Sequence, residues 1–108
     1  MTKAELYTAL TGITGFTDKV AYRFFPEGEA PELPYITFLG TYSNNFVADN
    51  KVYLPGTHIQ VELYTAAIDE TTEGLVEACL NGLELPFTKT ESWLDDESCY
   101  EILYEIEI

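Results

Sequence analysis

Histidine and cysteine, whose side chains titrate closest to neutral pH, are rare in this sequence. His58 is the only histidine, and Cys79 and Cys99 are the only cysteines. The cysteines lie 20 residues apart, form no CxxC pair and have no histidine near them in the sequence, so they match no metal-ligand spacing. Free thiols are favoured over a disulfide. We expect His58, on the polar side of a predicted strand, to be a solvated surface residue.

Motifs of the common enzyme classes are absent from the sequence. It contains no GxGxxG, GxxxxGK[ST], GxSxG or HExxH pattern. These patterns would place phosphate-binding glycines, an exposed nucleophilic serine or zinc-ligating histidines. We therefore predict a protein that is not an enzyme and that uses no cofactor and no metal ion.

Three consecutive carboxylates form the densest acidic group. Asp95, Asp96 and Glu97 could bind a hard cation such as Ca²⁺. They lack the ligand spacing of an EF-hand, and a charged hairpin turn explains them more simply.

A second acidic group has helical spacing. Glu70, Glu73 and Glu77 share one face of a predicted helix. The helix dipole favours Glu70 and Glu73 in the first turn but does not explain Glu77. Like charges four residues apart destabilise a helix by about 0.2–0.5 kcal/mol, so a solvated helix face is the simplest interpretation.

Local signals predict the elements that carry these residues. Thr2 and Glu5 form a capping-box pattern ahead of a short helix with apolar Leu6 and Leu10, which Gly12 ends. A second helix is predicted from Asp69 to Gly82, and its apolar stripe consists of Leu75, Val76, Cys79, Leu80 and Leu83. Alternating apolar residues predict strands at Val20–Phe25, Tyr35–Leu39 and His58–Tyr64 and a closing hairpin of Phe87–Leu94 and Cys99–Ile108.

This order predicts an α+β fold, an antiparallel-rich sheet of four to five strands with two helices packed on one face. The 108 residues make one domain, 1–108, because no linker divides them. Trp93, in the closing hairpin, suits either the core or an interface.

The segment from Gly40 to Gly56 is too long for a simple hairpin loop. Turn residues alternate there with apolar ones, which a free loop should avoid. The segment therefore either folds back onto its own core or is an arm that buries itself in a neighbouring molecule. The candidate interface residues of such an arm are Phe46, Val47, Tyr53 and Leu54.

The charge is strongly negative and uneven. Five basic residues against 19 acidic ones give a net charge of −14. Residues 1–54 hold six acids and four bases, whereas residues 55–108 hold thirteen acids and one base. This balance excludes proteins that grip nucleic-acid phosphates or an anionic membrane surface. Without an apolar span or a signal peptide, we expect a soluble intracellular protein.

Several segments, in order, resemble the tail terminator (tail completion, head–tail joining) proteins of long-tailed bacteriophages and prophages. The resemblance covers most of the chain but lies in layout, since that family has no catalytic signature. It is carried by Val20–Gly28, Pro34–Leu39, Phe46–Asn50, His58–Tyr64, the acidic-capped helix from Asp69 and the closing Tyr100–Ile108.

The resemblance implies a structural function. Such proteins form a ring, expected to be a hexamer, that caps the tail tube and presents a surface to the head connector or stopper protein. The implied partners are other copies of the chain, the tail-tube protein and the connector, and DNA is a passing cargo that does not adhere. The protein would be in the host cytoplasm during assembly and then at the tail–neck junction of the virion. The candidates for channel-facing acids are Glu70, Glu73, Glu77, Asp95, Asp96 and Glu97.

Two alternatives remain open. One is another phage neck or tail-tube component, which differs in the partner it contacts. The other is a small acidic binding module, such as a DNA mimic that inhibits a nuclease, which would work as a monomer or dimer.

Overall fold

The structure, a computed structural model, describes the backbone of residues 1–43, 46–48, 51–54 and 56–108, and the side chains of residues 1–43 and 56–108. Two helices and seven strands lie in these ranges. In chain order they are α1 Lys3–Thr11, β1 Val20–Tyr22, β2 Tyr35–Ser43, β3 Phe46–Ala48, β4 Lys51–Leu54, β5 Thr57–Thr65, α2 Glu70–Gly82, β6 Thr88–Leu94 and β7 Cys99–Glu107.

Five strands form one sheet in the order β1-β2-β5-β7-β6. All neighbours in this sheet are antiparallel except β1 and β2, which run parallel. The register places Phe38, Val61, Tyr104 and Lys89 side by side across four strands. The predicted α+β fold with an antiparallel-rich sheet is confirmed.

One core lies between the helices and one face of the sheet. Leu6 and Leu10 of α1 and Val76 and Leu80 of α2 are fully buried in it. The sheet contributes every second residue of its central strands, as the strand period requires. These sheet residues are Ile36, Phe38, Ile59, Val61, Leu63, Ile102, Tyr104 and Ile106.

The start of α1 has the predicted capping box. The backbone N–H of Thr2 donates to Glu5 Oε1 at 2.8 Å, and that of Glu5 donates to Thr2 Oγ1 at 3.1 Å. Each side chain therefore satisfies one donor that the helix leaves unpaired.

Two predicted elements need correction. The strand expected at Val20–Phe25 ends at Tyr22, because Arg23 adopts a left-handed backbone with φ of 70° and turns the chain. Leu75, expected in the buried stripe of α2, is 41% exposed, and Glu73 lies on the buried side.

The long excursion between β2 and β5 contains a hairpin. β2 continues to Ser43, and β3 and β4 then pair antiparallel as a two-stranded sheet of their own. Because β2 and β5 are neighbours in the main sheet, this hairpin is an insertion between two adjacent strands. We call it the β3–β4 arm.

No helix among the described residues is long and apolar enough to cross a membrane.

Candidate functional site

The one base in the acidic half of the chain, Lys89, joins α2 to the edge of the sheet. Lys89 lies on β6 opposite Tyr104, on the face that packs against the helices. Its Nζ is 2.6 Å from Glu73 Oε1 and 2.9 Å from Glu77 Oε2. Glu73 is only 4% exposed. A buried carboxylate of this kind is tolerated because a cation pairs with it.

The groups around Lys89 adjust one another's protonation. Hydrogen bonds to Glu73 and Glu77 raise the pKa of Lys89. The hydrogen bond from Lys89 lowers the pKa of Glu77, and the Tyr104 hydroxyl, which donates to Glu77 Oε2 at 2.8 Å, lowers it further. Burial raises the pKa of Tyr104. The Lys89 ammonium and the Glu77 carboxylate are therefore charged at neutral pH.

This pairing changes the interpretation of the acidic helix face. Glu70, Glu73 and Glu77 line one shallow depression together with Lys89. Glu73 and Glu77, however, do not form the solvated face that their spacing suggested, because Glu73 is buried and Lys89 on β6 pairs with both carboxylates. Glu70 is exposed, so of these three acids it contributes most to the negative charge of the surface.

The acidic group at Asp95, Asp96 and Glu97 forms the turn between β6 and β7, as the simpler interpretation predicted. All three side chains are exposed. Ser98, with φ of 51°, completes the turn.

Trp93 lies beside this turn on the outermost strand. Its indole N–H donates to Asp95 Oδ1 at 2.6 Å, and its ring meets that of Tyr100 edge-on at 4.8 Å. The side chain remains 48% exposed. Of the two settings expected for Trp93, the core is therefore wrong, and the interface stays a prediction.

The face of the sheet opposite the core is polar, and its central group was not predicted. The Tyr64 hydroxyl on β5 donates to the Glu62 carboxylate on the same strand and contacts Glu101 Oε2 on β7 at 3.0 Å. Burial raises the pKa of Tyr64 and of Glu101, and the charge of Glu62 raises the pKa of Glu101 further. Two carboxylates thus compete for one hydroxyl proton. We call Glu62, Tyr64 and Glu101 the shared-hydroxyl cluster.

His58 is not the solvated surface residue that was expected. It is 9% exposed because the Tyr42 ring stacks on it, with the ring centres 4.6 Å apart and the planes within 4°. Its Nε2 lies 3.1 Å from Glu105 Oε1, and Thr88 Oγ1 donates to the other oxygen of Glu105 at 3.4 Å. Tyr42 and His58 lie on the two strands that flank the β3–β4 arm. The group therefore holds the base of the arm to β7.

The four arm residues predicted at an interface, Phe46, Val47, Tyr53 and Leu54, have side chains outside the described residues. Only the backbone pairing of their strands is described.

Both cysteines are free, as expected: Cys99 is buried, and Cys79 is partly buried, with its thiol donating to the Ala9 carbonyl at 3.6 Å. Among the residues that the structure describes, no three His, Cys, Asp or Glu side chains are grouped in a way that could hold a metal ion.

Comparison with protein-family models, with curated proteins and with solved structures finds no match for this chain.

Proposed function

We propose that this chain is a structural protein of a long-tailed bacteriophage or prophage, not an enzyme. It forms a ring, a hexamer by the resemblance of its sequence, that caps the tail tube and joins it to the head connector. The observation that carries this proposal is the β3–β4 arm, a two-stranded sheet inserted between two adjacent strands of the main sheet.

The arm supports association because an isolated two-stranded hairpin is at best marginally stable in water. Its sequence alternates turn residues with Phe46, Val47, Tyr53 and Leu54. Full burial of each such side chain contributes about 1.5–3 kcal/mol. A neighbouring subunit is a surface that can supply this burial.

The contacts at the base of the arm restrain the two strands from which it extends. The stacked pair of Tyr42 and His58, with Glu105 behind it, ties the strands on either side of the arm to β7. A held base lowers the ordering entropy that docking costs, and preorganisation of this kind increases affinity.

The exposed acids suit a conduit for DNA. Glu70, Asp95, Asp96 and Glu97 are exposed, and placed on the rim or wall of a channel they would repel phosphates. DNA would then pass without adhering. Glu73 and Glu77 contribute less to this field, because Lys89 pairs with both.

Electron microscopy of the purified protein tests the proposal. We expect closed rings with a central channel wide enough for a DNA duplex, and rings bound at the ends of tail tubes when these are added. A population of single subunits that does not bind tail tubes contradicts the proposal.

One observation favours an acidic binding module as a second candidate. The polar face of the sheet carries four carboxylates on two neighbouring strands, those of Glu62, Glu101, Glu105 and Glu107. A DNA mimic needs acids arrayed on one surface, and it would act as a monomer or dimer. The same micrographs separate the two candidates, since a mimic forms no ring. Another neck or tail-tube component would form rings but bind a different partner.

A further inference from the structure

An apolar groove lies at the β1 edge of the sheet. It runs between α1 and the first two strands and has a volume of about 590 Å³. Tyr7 of α1 is 44% exposed there, and Tyr22 of β1 is exposed to a similar extent. Phe38 forms the floor, with Tyr22 against it edge-on at 5.1 Å between ring centres. Aromatic rings thus line a surface that remains open to solvent.

One basic residue lines this groove, and a second follows a lining residue in the sequence. Lys3 lines it, with its Nζ 5.6 Å from the centre of the Tyr22 ring. Arg23 follows Tyr22 directly and is exposed. Residues 1–24 hold three bases and two acids. This positive balance is exceptional in a chain with a net charge of −14.

The opposite edge of the sheet has the complementary character. β6 is the last strand at that edge, and Trp93 near its end exposes about half of its surface. The exposed residues Asp95, Asp96 and Glu97 line one open depression together with Trp93, and Asp95 accepts a hydrogen bond from the indole. The result is a single large aromatic side chain inside an acidic rim.

We propose that these two surfaces are the two halves of one contact between successive copies of this chain. Trp93 of one copy enters the groove beside Tyr7 and Tyr22 of the next. The acidic turn of the first copy then faces Lys3 and Arg23 of the second. This inference rests on the proposed ring and identifies the surfaces that build it.

Topology makes the contact one between molecules. β1 and β6 are the two outer strands of the same sheet, so one chain cannot bring its own groove and tryptophan together. A contact between two different surfaces is heterologous, and repetition of it closes a ring when the rotation between copies allows.

The proposed contact has aromatic side chains at its centre and charged side chains around them. Tryptophan, tyrosine and arginine dominate interface energies when they fill pockets, and a cation beside an indole adds to the attraction. The charges set orientation. Among subunits that repel one another overall, joining the basic end of the chain to its acidic turn also minimises the repulsion.

Two double variants test the proposal. K3E with Y7A alters only the groove, and W93S with D95K alters only the acidic edge. We expect each variant alone to be a monomer in sedimentation. Mixed in equal amounts, they should form a dimer and nothing larger, because each variant keeps the surface that the other has lost.

Controls separate this contact from general surface effects. I68S removes an exposed apolar side chain, and E32K reverses an exposed charge, both outside the two surfaces; these variants should assemble like the wild type. Circular dichroism and thermal unfolding check that every variant is folded.

A second set of variants keeps the test decisive if a double variant fails to fold. K3E and D95K, made singly, should each weaken association roughly tenfold. Both changes in one chain should restore much of the loss, since opposite charges then face each other again. Absence of this restoration contradicts the proposal.

The outcomes distinguish this contact from the ring itself. If both double variants still form rings, or if they do not dimerise when mixed, the groove–tryptophan contact is wrong. The proposed ring itself is not contradicted by either result. A wild-type protein that is monomeric at every concentration overturns both.

Discussion

The ammonium of Lys89 lies 2.6 Å from Glu73 Oε1, a carboxylate almost completely buried on the inner side of α2. The two residues are 16 positions apart in the sequence, and the pair joins the acidic helix to the last strand of the sheet. Lys89 also pairs with Glu77, so it offsets the repulsion between the two glutamates, which lie four residues apart on one helix.

Replacing Lys89 with Met should destabilise the protein, because it leaves the buried Glu73 charge without a partner. Loss of one member of a fully buried pair costs about 3–5 kcal/mol. Lys89 is partly exposed, so water compensates in part and we expect about 1–3 kcal/mol. Urea unfolding of K89M against K19M, which removes the same charge elsewhere, measures the difference. Equal losses in the two variants would show that the pair contributes nothing specific.

Acid should weaken the same junction. The folded-state pKa of Glu77 is lowered by Lys89, so its contribution to stability is complete above its ordinary pKa of 4.5 and is lost as the pH falls through the lowered value. The stability difference between wild type and E77Q should therefore shrink below about pH 4.5. Thermal unfolding from pH 7 to pH 3 measures it. A difference that does not change with pH would contradict this assignment.

The shared-hydroxyl cluster should respond in the opposite direction. The pKa of Glu101 is raised by burial, so its ionisation opposes folding as the pH rises through the folded-state pKa. E101Q should therefore stabilise the protein at pH 7, by less than about 1 kcal/mol at a half-buried site, while keeping an acceptor for Tyr64. The gain should disappear below the ordinary pKa of 4.5. A destabilised E101Q at pH 7 would refute the argument.

Replacing both Phe46 and Tyr53 with Ser should weaken association and leave the monomer folded, if the β3–β4 arm buries them in a neighbour. Each lost burial removes about 1.5–3 kcal/mol from the contact. Sedimentation and circular dichroism measure the two effects separately. If circular dichroism shows that the variant subunits are less well folded, while sedimentation shows no loss of association, the segment belongs to the core of its own subunit.

Added salt should favour assembly. Each subunit has a net charge of −14, so copies repel one another at low ionic strength. Screening over roughly 8 Å at physiological salt removes much of this repulsion. Sedimentation across a salt series gives the trend. Association that weakens as salt rises would indicate a complex held mainly by ion pairs.

The elements predicted correctly are those with local signals. The capping box at Thr2 and Glu5 and the N-cap of α2, where Asp69 Oδ1 accepts from the Thr72 N–H at 3.1 Å, involve residues three positions apart. The alternation of Ile59 and Val61 needs only the two-residue period of a strand. Such features are readable before any tertiary contact is known.

The interactions that were missed depend on strand register. His58 is buried because Glu105 lies on the adjoining strand and Tyr42 stacks above it, and Tyr64 meets Glu101 only through the pairing of β5 with β7. The alternation of apolar and polar residues along a strand predicts which face of the sheet a residue lies on. It does not predict which residue of the neighbouring strand lies beside it.

The mass of the wild-type protein in solution tests the central claim most directly. Sedimentation equilibrium at physiological ionic strength, over a wide range of concentrations, should give one closed species. By the resemblance we expect six times the 12.2 kDa mass of the chain. A single species of 12.2 kDa at every concentration, or open polymers that grow without limit, would contradict the ring.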